Sequence, residues 1–327
     1  NGSGKTAILE ALHYLCYVRS FRALTPQDLV RFGANGFFIK AVFNDQEIKS
    51  GWLEKKRHLK INQKNVESYQ ELRELYRVVT ITEDDLELIK SGPEKRRHFL
   101  DNALLLYRPD LMLLFKQYRV VLENRNALLH NLQFDEQELE IWTKKLWAHT
   151  QKIQQYRDEF CKMLQTSVIQ LFQESGFSDY KLSICYIPKQ FAESVTEQEF
   201  LKQWQSSIKV EELRLRRSLF GAHLDDMGIF FCGMPARYYS SRGQQKLIVL
   251  LIKIAQIKQL VAERVATTVL IDDFMTDFDE LTMDRLIACL IRLGTQLIFT
   301  SPVAEGLDRH LLSKYQAHTI NLSISTI

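Results

Sequence analysis

The chain has 327 residues, 46% of them hydrophobic, and a net charge of +3 from 43 Lys and Arg against 40 Asp and Glu. That is enough apolar material for a substantial core and as many as two domains. No apolar run approaches the roughly 18 residues that span a bilayer, no signal peptide is visible, and the charge balance is too even for a polybasic tract, so DNA binding would rest on local clusters.

The first six residues, Asn1-Gly2-Ser3-Gly4-Lys5-Thr6, are the back half of a G-x-x-x-x-G-K-[ST] loop. In such a loop backbone N–H groups cradle phosphate oxygens, Lys5 reaches the β- and γ-phosphates, and the Thr6 hydroxyl ligates magnesium at a helix N-terminus that favours anions. Ile8, Leu9, Leu12, Leu15 and Cys16 recur at helical spacing and predict that helix from Ala7 to Val18. The first Gly of the motif and the strand that feeds it are absent from this sequence. It is therefore expected to be either a fragment or a nucleotide site that has lost part of its loop.

Further along, Phe38 to Phe43, Ile48 to Glu54 and His58 to Ile61 read as short strands separated by turn residues such as Asn44-Asp45, hence an antiparallel meander. Val78 to Ile81 is another strand, ending at the acidic Glu83-Asp84-Asp85, which serves either as a charged lid beside a nucleotide or as the cap of the next helix. The middle of the chain is helical. Leu111, Phe115, Tyr118, Leu122, Leu129 and Leu132 form one stripe, interrupted by Arg125, and Leu139, Trp142, Leu146, Ile153, Tyr156, Phe160 and Leu164 form another, so two helices make a short antiparallel hairpin. Tyr180 to Ile187 then predicts a strand, Glu197 to Leu219 a charged helix, and Ile229 to Cys232 with Gly233-Met234-Pro235 a β-hairpin.

Two motifs close the chain. Ser240-Ser241-Arg242-Gly243-Gln244-Gln245-Lys246 precedes an apolar helix, Leu247 to Val261, and offers a hydroxyl and bare N–H groups at its start, a second anion site. Thr268-Val269-Leu270-Ile271-Asp272-Asp273 is an apolar run closed by two carboxylates, the look of a buried parallel strand delivering acids to the C-terminal edge of a sheet. There Asp272 would hold Mg²⁺ and Asp273 would orient or deprotonate the attacking water. Phosphate loop first, signature next, Asp pair last is the order found in ABC-type ATPases that act on chromosomes. One chain carrying both phosphate loop and signature completes a site only by facing a second copy.

The details resemble the RecF family of bacterial recombination-mediator ATPases. The resemblance rests on Arg19-Ser20-Phe21-Arg22, Glu83 to Leu88 with Gly92-Pro93 and Arg96 to Asp101, Asn124-Arg125-Asn126-Ala127-Leu128-Leu129, Gly221-Ala222-His223-Leu224-Asp225-Asp226, and the S-x-G-Q-Q-K signature. It implies an α/β ABC-type P-loop ATPase head, a mixed sheet with helices plus an antiparallel β meander, with a short helical-hairpin lobe. The head would comprise residues 1–108 and 206–327, and the lobe 109–205. Departures include Ala222 and Leu224 in place of Pro and Arg, Thr300-Ser301-Pro302 where a γ-phosphate-sensing His often lies, and Asp273 in place of a longer Glu, which implies slow hydrolysis.

By that resemblance ATP and Mg²⁺ are bound by Asn1, Gly2, Ser3, Gly4, Lys5 and Thr6 of one subunit, with Ser241, Gly243 and Gln244 of another reaching the nucleotide and Asp279 lying across the interface. The implied function is an ATP-dependent homodimeric clamp on DNA at junctions of single and double strands, working with a RecR-type mediator. Lys55, Lys56 and Arg57, Arg96 and Arg97, and the cluster Arg214 to Arg217 are candidate phosphate contacts. His223, Asp225 and Asp226 read as a polar network rather than a metal cluster. The five scattered cysteines read as reduced buried thiols of a cytoplasmic protein, and the absence of C-x-x-C argues against zinc. Two competing readings are the head of an overcoming-lysogenization nuclease, which would need an appended nuclease domain that does not follow Ile327, and a nucleotide-independent scaffold.

Overall fold

A computed structural model describes residues 4–43, 45–66, 72, 77–131, 133–177, 180–189, 195–263, 266–300, 317, 318, 320 and 322. Asn1, Gly2, Ser3, Asn44, Leu132, Ser301 and Pro302 lie outside the described residues. Chain contacts divide it into two compact units, Asn1–Asp85 with Leu260–Ile327, and Leu86–Gln259.

In the first unit the alternation of Phe37, Ile39, Ala41 and Phe43 with Phe38, Lys40 and Val42 produces a half-buried strand, β1 (Gly36–Phe43). It pairs antiparallel with β2 (Gln46–Leu53), which pairs with β3 (Lys56–Ile61) and then the two-residue β4 (Lys64–Asn65), the expected meander. A separate parallel sheet has the order β10 (Gln296–Thr300), β9 (Thr267–Asp272), β5 (Arg77–Ile81). The central strand β9 is buried along five of its six residues, as an unbroken Thr-Thr-Val-Leu-Ile run requires.

The helix Lys5–Tyr17 packs against both sheets and buries Leu9, Tyr14, Leu15 and Cys16 with Ile48, Val78 and Leu270. Each such aliphatic side chain contributes roughly 1.5–3 kcal/mol by leaving water. Ile8, expected on the buried stripe, is instead 47% exposed because it sits in the first turn. Tyr17 fastens the helix to β5: its hydroxyl donates to the Val78 carbonyl at 2.6 Å and accepts the Val78 N–H at 3.0 Å.

The second unit holds the helical hairpin, Met112–His130 against Glu136–Ser175. The longer helix starts where the Asp135 carboxylate accepts the Gln137 N–H at 2.8 Å and stops at Gly176, whose φ of 71° a side chain would resist. Expected as one charged helix from Glu197 to Leu219, this segment is continuously helical as far as Leu215, passing through Glu197–Gln203, a π turn Trp204–Ile208, and Lys209–Leu215. The π turn adds the residue that brings Trp204 and Glu212 onto one face, where the indole N–H donates to the carboxylate at 2.7 Å.

That carboxylate explains the interruption at Arg125. Arg125 and Glu212 are both fully buried, joined by two bonds of 3.0 and 2.5 Å, with Thr143 and Ser218 each accepting one further guanidinium proton and the Phe220 ring 4.7 Å away. The antiparallel sheet β6 (Leu182–Ile187), β7 (Asp226–Phe231), β8 (Met234–Pro235) completes the unit together with the helix Pro93–Tyr107 and the start of Arg242–Ala262.

The expected boundaries at 108 and 206 do not coincide with these units. Pro93–Tyr107 packs on β7 and on Glu136–Ser175, and Glu136–Ser175 packs on β6, so the segments flanking the hairpin cluster with it. All five cysteines are free, but only Cys16, Cys161 and Cys289 are buried, while Cys185 and Cys232 are exposed on the small sheet. Burial pushes the Cys161 thiol up to about 12, which leaves it inert. Among the described residues no helix is long and apolar enough to cross a membrane.

Candidate nucleotide site

Gly4 caps the first helix in the left-handed region, at φ 83°, with open space where a Cβ would stand. A residue with a side chain would strain this turn. The next residues, Lys5 and Thr6, open the helix, and its unpaired N–H groups face the direction from which the chain enters. Lys5 makes no ion pair among the described residues.

Thr6 meets the Asp pair. Its Oγ1 donates to Asp272 Oδ1 at 3.1 Å across a separation of 266 residues. The parallel register sets Thr300, the last residue of β10, opposite Asp272. The Thr300 hydroxyl donates to Asp272 Oδ1 at 2.7 Å and accepts the Asp273 N–H at 3.2 Å. Asp273 itself is held at φ 50°, a left-handed conformation rare for a residue with a side chain, so its carboxylate leaves the strand direction just past the sheet edge. In the sequence Thr300 marks only a position where a γ-phosphate-sensing His often lies. The signal was its hydroxyl at the end of a strand destined to neighbour the Asp-Asp strand.

The signature lies in the other unit. Ser241 and Gln244 form a reciprocal cap: the Ser241 N–H donates to Gln244 Oε1 at 2.8 Å, and the Gln244 N–H reaches Ser241 Oγ at 3.3 Å. Ser241, Arg242 and Gly243 are exposed, whereas the helix behind them is buried from Gln245 through Ile257. A helix buried all round must sit inside its domain, which leaves its exposed start as the part placed to meet a ligand. Asp279 caps the helix Glu280–Arg292, and the Thr282 N–H it accepts at 2.9 Å holds its carboxyl below the usual carboxylate range.

The candidate DNA contacts divide. Lys55, Lys56 and Arg57 are exposed at the β2–β3 turn, where Glu54 and Lys55 take positive φ. Arg96 grips the Asp226 carboxylate with two bonds of 2.7 and 2.9 Å, and Arg97 donates to the Asp225 carbonyl at 2.7 Å. These two arginines tie the helix Pro93–Tyr107 to β7 rather than standing free for phosphates. The acidic stretch Glu83–Leu86 is a short 3₁₀ helix in which Asp85 accepts the Thr82 N–H at 2.9 Å, a local cap.

The G-x-H-x-D-D segment forms a polar network, and among the described residues no three or more His, Cys, Asp and Glu side chains are grouped so as to hold a metal ion. Buried Asp225 accepts from Gln154, from the Lys189 N–H at 3.0 Å and from the Tyr186 hydroxyl, with Arg157 at 3.6 Å balancing its charge. The Tyr118 hydroxyl accepts the His223 backbone N–H at 3.0 Å and shares a hydrogen bond with His223 Nδ1 at 2.8 Å. Gly221, at φ 124°, leaves room for this pair, since a Cβ there would lie 2.8 Å from the Tyr118 oxygen.

Burial lowers the His223 pKa from 6.5 to about 4. The unfolded chain therefore takes up this proton below pH 6.5 while the folded one does not. Stability should fall as pH drops from about 6.5 towards 4 and then level off as His223 charges in the folded state. Urea unfolding of wild type and His223→Gln across that window checks it, the variant showing the shallower loss.

A parallel sheet whose central strand ends in Asp-Asp, fronted by a Gly-Lys-Thr helix start and accompanied by an S-x-G-Q-Q helix cap, defines an ABC-type P-loop ATPase head. The "DNA replication and repair protein RecF" of Moorella thermoacetica is 31% identical over 316 residues, spanning 93% of this chain and 82% of the relative. Its counterpart in Chloroherpeton thalassium is 29% identical over 350 residues, with 99% and 91% covered. Among solved structures, the recombination mediator protein RecF with ATP, of the RecFOR pathway, superposes with a TM-score of 0.81 at 27% identity, covering 94% of this chain and 85% of that one. No family model matches. The chain belongs to the RecF family.

Proposed function

We propose that this chain is an ATP-gated DNA clamp that acts in recombinational repair and replication restart at single-strand gaps, alongside a RecR-type mediator. The observation that carries the reading is the convergence of Thr6, Asp272 and Thr300 behind the Lys5 helix start. It is supported by relatives that are named for DNA replication and repair, and by a RecF structure that contains ATP.

The donor set fits magnesium, since Thr6 Oγ1 and Asp272 Oδ1 are hard oxygens 3.1 Å apart and Mg²⁺ takes one or two protein oxygens beside water and phosphate. Thr6 and Asp272 would hold the ion, which would supply positive charge to offset that of the phosphates. The Gly4 turn and the helix N-terminus receive the phosphates, and Lys5 supplies an ammonium to the charge that grows as the terminal P–O bond breaks. Asp273 orients the attacking water and accepts its proton, and ADP leaves with the bridging oxygen. Thr300 keeps both acids in register by donating to one and accepting from the backbone of the other. With an Asp at the base position the carboxylate reaches less far than a Glu, so turnover is slow and hydrolysis acts as a timer.

Ser241, Gly243 and Gln244 of a second copy complete the site, so ATP favours the dimer and hydrolysis releases it. Sedimentation of the protein with ATP and a gapped duplex tests this. An ATP-dependent move to a DNA-bound dimer supports the clamp; ATP binding with no change of mass sinks it in favour of a scaffold. Ser241→Arg is expected to leave ATP binding by the monomer within about twofold, because Ser241 is exposed, while abolishing the ATP-induced dimer. Equal loss of both would count against a role in trans.

A further inference from the structure

We propose that the outer face of the four-stranded sheet is a stacking platform for single-stranded DNA, the strand left unpaired at a gap; it rests on the DNA-binding reading above. Cross-strand pairing builds this face in rows. Phe38 lies opposite Gly51, which lies opposite His58, so an aromatic ring and an imidazole flank a strand position that has no side chain. A Cβ on Gly51 would lie 2.6 Å from Phe38 Cδ1 and 3.1 Å from Cε1, so one edge of the Phe38 ring occupies the space a side chain at 51 would take. Phe38 is 65% exposed and its ring centroid is 6.0 Å from that of His58.

Two residues along each strand comes a row of cations, Lys40 opposite Lys49 opposite Lys60. The rows are roughly 7 Å apart, the reach between a stacked base and the phosphate of its own strand. Lys56, two residues from His58 on the other side, extends the positive charge. One carboxylate, Glu47, faces them and pairs with Lys40 and Lys49, while Lys56 and Lys60 have no ion-pair partner among the described residues. Charge selects the occupant: exposed rings beside lysine rows suit a strand with accessible bases and a phosphate backbone. A duplex hides its base faces and offers no use for Phe38.

The opposite face of the same sheet carries Phe37, Ile39, Ala41, Ile48, Leu59 and Ile61 and is spent on the core. Phe38 stands outside that core and is mostly exposed, so Phe38→Ala is expected to leave the protein folded.

The test is anisotropy of labelled oligo(dT) and of a blunt duplex with the full-length protein, over a salt series, without nucleotide and with ATP. Phe38→Ala should weaken oligo(dT) binding at least about fivefold, with duplex affinity and the salt slope unchanged. Lys60→Gln should instead flatten the slope of log K against log salt for oligo(dT) by about 0.7. Wild-type affinity of Phe38→Ala and of His58→Ala for oligo(dT) overturns the platform, as does equal loss for both DNAs, or a change in dimer formation with DNA binding intact. If the wild type binds neither DNA in any nucleotide state, the clamp reading falls together with this one. If it binds and the variants match it, only the platform falls.

Discussion

Arg125→Ala is expected to lower the free energy of unfolding by about 3–5 kcal/mol, a large part of the margin by which a domain is folded. The cost comes from what is left behind. Glu212 would remain fully buried with one indole N–H and the Leu219 N–H as its donors, and with no other ion-pair partner among the described residues. Thr143 and Ser218 would lose a donor as well, and the Phe220 ring its cation. Replacing both partners, as Arg125→Met with Glu212→Leu, should cost much less, because the pair's attraction and its desolvation are lost together. Urea unfolding followed by tryptophan fluorescence suits the measurement, since Trp204 touches the pair. A loss below about 1 kcal/mol, in the range of a surface ion pair, would show that water reaches the pair.

Lys5→Ala is expected to slow ATP hydrolysis by about 10²–10³-fold, the usual loss when one donor to developing charge is removed. The fold should hardly notice, because Lys5 is partly exposed in the first helical turn and makes no ion pair among the described residues. The melting temperature of the nucleotide-free protein should thus match the wild type, while the rise in melting temperature on adding ATP should shrink. Steady-state phosphate release gives the first number and a thermal scan with and without ATP the second. Undiminished phosphate release would falsify the phosphate role of Lys5.

Much of the architecture was legible because it is local. The helix after Thr6, the three meander strands, the hairpin helices, the apolar strand ending in Asp272 and the Ser241 helix cap each follow from periodicity or turn chemistry within a dozen residues. The π turn at Trp204–Ile208 was not legible, since it is stabilised by what Trp204 finds on Glu212 rather than by the sequence of the turn. Arg96 and Arg97 read as free cations until their acceptors on Asp226 and Asp225, some 130 residues away, are known.

The sequence by itself determined which groups can do chemistry here: an ammonium and a hydroxyl at a helix start, two carboxylates at a strand end, and a capped, glycine-bearing helix start that must look outward because the run Leu247 to Ile252 behind it is wholly apolar. Only the tertiary structure decided which of them meet. Parallel pairing of β9 with β10 sets Thr300 against Asp272, and antiparallel pairing of β1, β2 and β3 lines up Lys40, Lys49 and Lys60. Register depends on closing long loops and burying one face of each strand. A strand's own residues state which side is apolar; the neighbour that their polar side will face is settled when the chain closes.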